Sequence, residues 1–215
     1  MKINNKASLE FFSQMANENN LNPNSVKLAK NSDFSTYDSD FIMQYTNQDS
    51  EILDLATGTG LIINKIAQKV KKIVAVEAFE NFTKFIIKSD NIKIIHENVY
   101  DYIPEQKFDL ITIFALMHYL NEEEAVALYK KYIPFLKPKG KIIIKNQFGV
   151  KEDVNISGYS EELKKDYYAQ YRHIDKEVKI LLHIGYKNVK VVDIYPPECN
   201  RWSNTHFYAI IGEKS

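Results

Sequence analysis

Apolar positions follow three regimes along the chain. In the first 50 residues they recur at helical spacing: Leu9, Phe12, Met15 and Ala16 share one face over 5–18. Asn22-Pro23-Asn24 breaks that helix, and a second is predicted over 37–45, after the polar stretch 31–36. From residue 51 short apolar runs alternate with helical segments. The runs are 51–55, 72–77, 92–95, 109–114 and 141–145; the helices between them are 61–67, 79–88 and 121–135. The runs are rich in Ile and Val and barely alternate with polar residues, as expected of parallel strands covered on both faces. Strand–helix alternation at this spacing predicts right-handed crossovers and an α/β, doubly wound sheet with helices on both faces. In the last third, a long helical stretch is predicted over 159–184, broken near 172–175, then strands over 189–194 and 205–211. The link 195–204 has no helix-length segment, so these two strands are expected to pair antiparallel.

Composition narrows the function classes. The 215 residues suit a single domain, and 45% hydrophobic with 26% charged residues is a globular balance. Lys+Arg and Asp+Glu both number 28, a zero net charge that argues against a dedicated nucleic-acid binder. The single cysteine, Cys199, excludes an intrachain disulfide and a cysteine-based zinc site, and no metal is expected. No apolar run approaches the length of a membrane-spanning helix. The opening MKINNKASLEFF lacks the pattern of a secretory signal, so the expected compartment is the cytoplasm.

The candidate chemistry begins at Asp54-Leu55-Ala56-Thr57-Gly58-Thr59-Gly60, a turn directly after a predicted strand and before a helix. Glycines there let backbone N–H groups approach a ligand closely. Glu77 ends the next strand, where an acid in a doubly wound fold reaches ribose hydroxyls. Together the two turns indicate an adenosine-like ligand. The dinucleotide fingerprint requires a third glycine, but Ile63 stands there, so NAD fits poorly.

On these residues the chain resembles the class I S-adenosylmethionine-dependent methyltransferases. ILDLATGTG is similar to their first motif, with Ala56 where the family usually has glycine. Glu77, followed by Ala78, matches the ribose-binding acid. Asn98-Val99 stands where an acid commonly accepts from the adenine amino group. FDLITIF, ending at Phe114, matches the fourth strand. ALMHYL, with His118, resembles the segment after it, and LKPKGK the turn into strand five. The resemblance implies S-adenosylmethionine as cofactor, held by Asp54, Ala56, Thr57, Gly58, Gly60, Glu77, Ala78, Asn98, Val99 and Phe114. It also implies strand order 3-2-1-4-5-7-6 with strand 7 antiparallel. The expected organisation is one domain: an N-terminal helical cap (1–50), a cofactor core (51–148), and a helical insertion with a C-terminal hairpin (149–215).

Methyl transfer is an in-line displacement that depends mainly on positioning. His118 is the first candidate base and His206 the second. Tyr37, Gln147, Arg201, Trp202 and His206 are the expected acceptor contacts. A small-molecule acceptor is expected, preferably methylated on oxygen, of a sugar-like or nucleotide-linked kind. The alternatives are a non-catalytic binding or scaffold protein on the same fold, and an RNA or protein methyltransferase. Neither oligomeric state nor acceptor identity is encoded in any motif.

Overall fold

The Ile- and Val-rich runs form β1 (Glu51–Leu55), β2 (Lys72–Val76), β3 (Ile92–Ile95), β4 (Phe108–Phe114) and β5 (Leu136–Gly149) of the computed structural model. It describes residues 4–26, 34–160, 165–196, 199 and 202–214. β1 pairs parallel with β2 and β4, β2 with β3, and β4 with β5. Beyond β5 the sheet turns antiparallel: β9 (Thr205–Lys214) lies between β5 and β8 (Tyr186–Val192). The order β3-β2-β1-β4-β5-β9-β8 is the expected 3-2-1-4-5-7-6, with the last chain segment inserted antiparallel.

Alternate residues of each strand feed two cores. Leu53 and Leu55 pack on one face with Leu128 and Tyr129 of α5 (Glu122–Tyr132) and Leu181 of α6 (Ile174–Ile184). Ile52 packs on the other with Phe41 and Ile42 of α2 (Ser35–Met43) and Ile63 and Ile66 of α3 (Ile63–Ile66). A satellite cluster joins α1 (Asn5–Ala16) to Phe82, Tyr119 and the Tyr167–Tyr171 segment through Phe11 and Met15. Among the described residues no helix is long and apolar enough to cross a membrane.

Three sequence expectations are corrected. The long helix over 159–184 is instead an antiparallel pair, β6 (Val154–Ser160) and β7 (Lys165–Tyr171), followed by α6 alone. The 149–184 insertion is therefore a hairpin plus one helix rather than helical. Tyr167, Tyr168 and Tyr171 are spaced to suit one helix face. Tyrosine nevertheless prefers a pleated surface, and both faces of this strand are buried. The helix over 79–88 shrinks to α4 (Glu80–Thr83). Beyond it the Asn64 side chain donates to Phe85 O and accepts from Ile87 N–H, replacing helical bonds. β5 runs well past residue 145, because β9 pairs with it out to Gly149.

Candidate active site

The turn after β1 is built on left-handed backbone at Ala56 (φ 59°), Gly58 (φ 58°) and Gly60 (φ 77°). Two of its N–H groups are taken by neighbours, which fix the turn: Thr57 N–H donates to Val76 O at 3.0 Å, and Gly58 N–H to Glu77 Oε2 at 2.8 Å. Thr59 Oγ1 donates to Pro23 O at 2.6 Å, tying the N-terminal segment onto the turn. Glu77 Oε1 accepts Phe79 N–H at 3.1 Å. A carboxylate has about four lone-pair positions, so with the Ala78 N–H also drawn to it Glu77 retains capacity for a ligand hydroxyl. Burial pushes its carboxyl up to about 7, against the pull of the Gly58 and Phe79 N–H groups. Burial likewise raises Asp54 to about 6, opposed by the Thr112 hydroxyl 2.5 Å from its Oδ1.

Asp54, Ala56, Thr57, Gly58, Glu77, Ala78, Asn98, Val99 and Phe114 all line one cavity of about 530 Å³, a volume usual for small-ligand sites. Gly60 lies outside it. A Cβ there would stand 2.6 Å from Ile86 Cγ1, so this glycine serves packing. Asn98 Oδ1 accepts Tyr100 N–H at 3.0 Å, leaving a second lone pair and its amide N–H₂ for a ligand. These residues fit an adenosine-bearing cofactor: a buried acid beside close-approaching backbone, opening on one cavity.

The same cavity continues to an aromatic end lined by Phe12, Tyr119, Tyr167, Tyr171 and Phe207, with the β6–β7 hairpin over it. His118, in the 3-10 turn Met117–Tyr119, lines this end and is buried. Its Nδ1 lies 2.9 Å from Asn146 Oδ1. Asn146 Nδ2 faces the Gln147 carbonyl at 3.4 Å, which sets the amide so that Nδ1 carries the proton. Nε2 is then a bare acceptor, with no partner among the described residues. Burial lowers the imidazole to about 4, Asn146 opposing and the Arg172 and Lys145 charges assisting.

Of the expected acceptor contacts, Gln147 and Trp202 line the cavity. Gln147 Nε2 donates to Thr205 Oγ1 at 2.7 Å. Tyr37 does not line it: it is half exposed, its ring edge-on to Tyr195. His206 does not either. It sits on β9 with Nε2 2.8 Å from Asp193 Oδ2, and its place outside the cavity lining, not that pair, argues against it as second base. Arg201 lies outside the described residues.

Sequence reasoning missed Asp38, Lys145 and Arg172. Lys145 and Asp38 meet at the cavity wall. Arg172 donates to Met117 O (3.0 Å) and Leu120 O (2.6 Å), the carbonyls flanking His118, while its Nε bonds Glu177 at 2.6 Å. One signal was available for Lys145: a cation ending the apolar run IIIK at the carboxyl edge of a buried strand.

Residues 52–140 match the methyltransferase domain family. A protein of Mycoplasma mobile, described as an uncharacterized RNA methyltransferase, is 29% identical over 138 residues, 60% of this chain. The match spans 36% of that protein, little more than a third of its length. Among solved structures, Burkholderia thailandensis 1,6-didemethyltoxoflavin-N1-methyltransferase superposes with a TM-score of 0.72 at 11% identity. It covers 100% of this chain and 91% of its own. The N-methyltransferase NodS of Bradyrhizobium japonicum gives 0.68 at 12% identity, covering 96% and 98%. Both speak to the fold alone. Domain match and topology point the same way: residues 52–140 are similar to the methyltransferase domain family, and the chain shares the fold of these methyltransferase structures.

Proposed function

We propose that this chain binds S-adenosylmethionine along the Gly58–Glu77 wall and methylates a small-molecule acceptor held at the aromatic end. The observation that carries this reading is the continuity of one cavity from the Glu77 carboxylate to His118. The cofactor supplies a methyl carbon activated by a sulfonium. Glu77 would accept from its ribose hydroxyls, Asn98 would face the adenine edge, and Phe114 would pack against its apolar parts. The tyrosine and phenylalanine walls exclude water, and His118 Nε2 would orient an N–H or O–H of the acceptor by accepting from it. An imidazole lowered to about 4 is neutral at pH 7 but weakly basic. It therefore suits an acceptor that needs orientation more than deprotonation, such as an acidic hydroxyl or an amine. Oxygen remains the preferred atom, with nitrogen the alternative that the N-methyltransferase neighbours support. The mainly apolar wall replaces the sugar-like acceptor with a ring-bearing one.

Calorimetric titration with S-adenosylmethionine and S-adenosylhomocysteine tests the reading. Both are expected to bind, and NAD is not. Glu77→Ala should weaken both by roughly tenfold or more, as loss of the ribose hydrogen bonds to a buried carboxyl would. Unchanged affinity would overturn the ribose assignment, and absence of binding the whole reading. The Mycoplasma mobile relative supports an RNA acceptor as a second reading. Methyl incorporation into total RNA by the purified chain would favour it over the small molecule.

A further inference from the structure

Lys145 is the one cation among the described residues that line the cavity. Its ammonium stands 3.1 Å from Asp38 Oδ2, with side-chain exposures of 10% and 5%. Asp38 Oδ1 accepts the Tyr195 hydroxyl at 2.6 Å. The ammonium also lies 5.3 Å from the Phe114 ring centre and 5.4 Å from that of Tyr195, on which Phe34 stacks at 4.7 Å. Stability does not call for such a pair, since well-packed apolar groups of similar volume serve a buried site as well or better. An ammonium has three donors. Asp38 takes one; the ammonium also faces two aromatic rings, and its side chain lines the cavity. The position, where the parallel pairing of β5 with β4 ends at Phe114, is the edge at which ligands of such sheets bind.

The surrounding walls suit a flat ring, which stacks on aromatic faces. Because Asp38 already balances the ammonium, a neutral oxygen fits better than a carboxylate, which would meet the Asp38 charge. We infer that Lys145, held by Asp38 and Tyr195, selects acceptors bearing a carbonyl oxygen on the edge of a planar ring. This deepens the proposed methyl-transfer reading and names its acceptor class. A ring N–H or O–H near that carbonyl would complete His118 Nε2, the bare acceptor at the same end of the cavity.

The test uses 2-pyridone, benzoate and toluene as probes. Each is titrated by ligand-observed NMR into the protein with and without S-adenosylhomocysteine. Wild type should bind 2-pyridone roughly tenfold more tightly than toluene, the size expected of a hydrogen bond to a charged group. Lys145→Met should abolish that preference while keeping toluene and S-adenosylhomocysteine binding. The double variant Asp38→Asn with Lys145→Met should do the same, which separates loss of the ammonium from the effect of an unpaired Asp38. Equal affinity of 2-pyridone for wild type and both variants would overturn the inference. So would a preference for benzoate, or no binding of any ring. If S-adenosylhomocysteine does not bind wild type, the methyltransferase reading fails, and titration of the unloaded protein still decides the role of Lys145.

Discussion

Ala56 and Gly60 occupy the same left-handed region for different reasons, and substitution separates them. Ala56 has a Cβ where glycine would be unstrained; an L-residue there costs about 1 kcal/mol, partly offset because glycine loses more entropy on folding. Ala56→Gly should therefore raise stability by roughly 0.5 kcal/mol, read from the urea midpoint. Gly60→Ala combines the same strain with a 2.6 Å approach to Ile86 and should cost roughly 2 kcal/mol or more. Full stability of that variant would refute the packing role assigned to this glycine. Gly58 and Gly60 were legible in the sequence because a strand followed by a Gly-Thr-Gly turn has few local solutions. That Gly60 serves packing was not, since it depends on Ile86, which arrives from a different turn.

At the scale of elements, the β6–β7 hairpin and α6 are tied to the His118 turn by Arg172. Its guanidinium holds Met117 O and Leu120 O while paired with Glu177, which also accepts the Tyr129 hydroxyl. Removing one partner of a buried pair leaves the other charge stranded. Arg172→Met should destabilise by about 3–5 kcal/mol, and the double variant Arg172→Met with Glu177→Gln by clearly less. Equal losses in thermal melts would mean that the pair is not what joins these elements. Periodicity misassigned this region because Tyr167, Tyr168 and Tyr171 satisfy a helical spacing, and only pairing with β6 and burial of both faces select the strand.

Across the whole molecule, the buried titratable groups oppose one another. Asp54 and Glu77 are raised to about 6 and 7, so the stability they contribute is full below their ordinary values near 4 and is lost as pH rises through those points. His118 is lowered to about 4, so its contribution is present above its ordinary 6.5 and is lost as pH falls toward 4. Glu77→Gln removes the strongest alkaline-side loss. Its stability relative to wild type should therefore improve from pH 5 to pH 8 in urea titrations, even as cofactor affinity falls. A flat difference across that range would show that Glu77 is not held neutral by burial. Such a trade of stability for binding is ordinary at functional sites.

The sequence by itself determined the parallel core, the acid–glycine turn, Glu77 and the antiparallel end of the sheet. Each is written locally, in a period of apolar residues, a φ that only small residues accept, or a link too short for a helix. The tertiary structure alone decided the acceptor wall. Asp38 and Tyr195 are 157 residues apart, and Lys145 reaches them from a third segment. It also decided that His206 turns to Asp193 while His118 faces Asn146. No local pattern encodes such meetings, because they depend on which loops the sheet order brings to one edge.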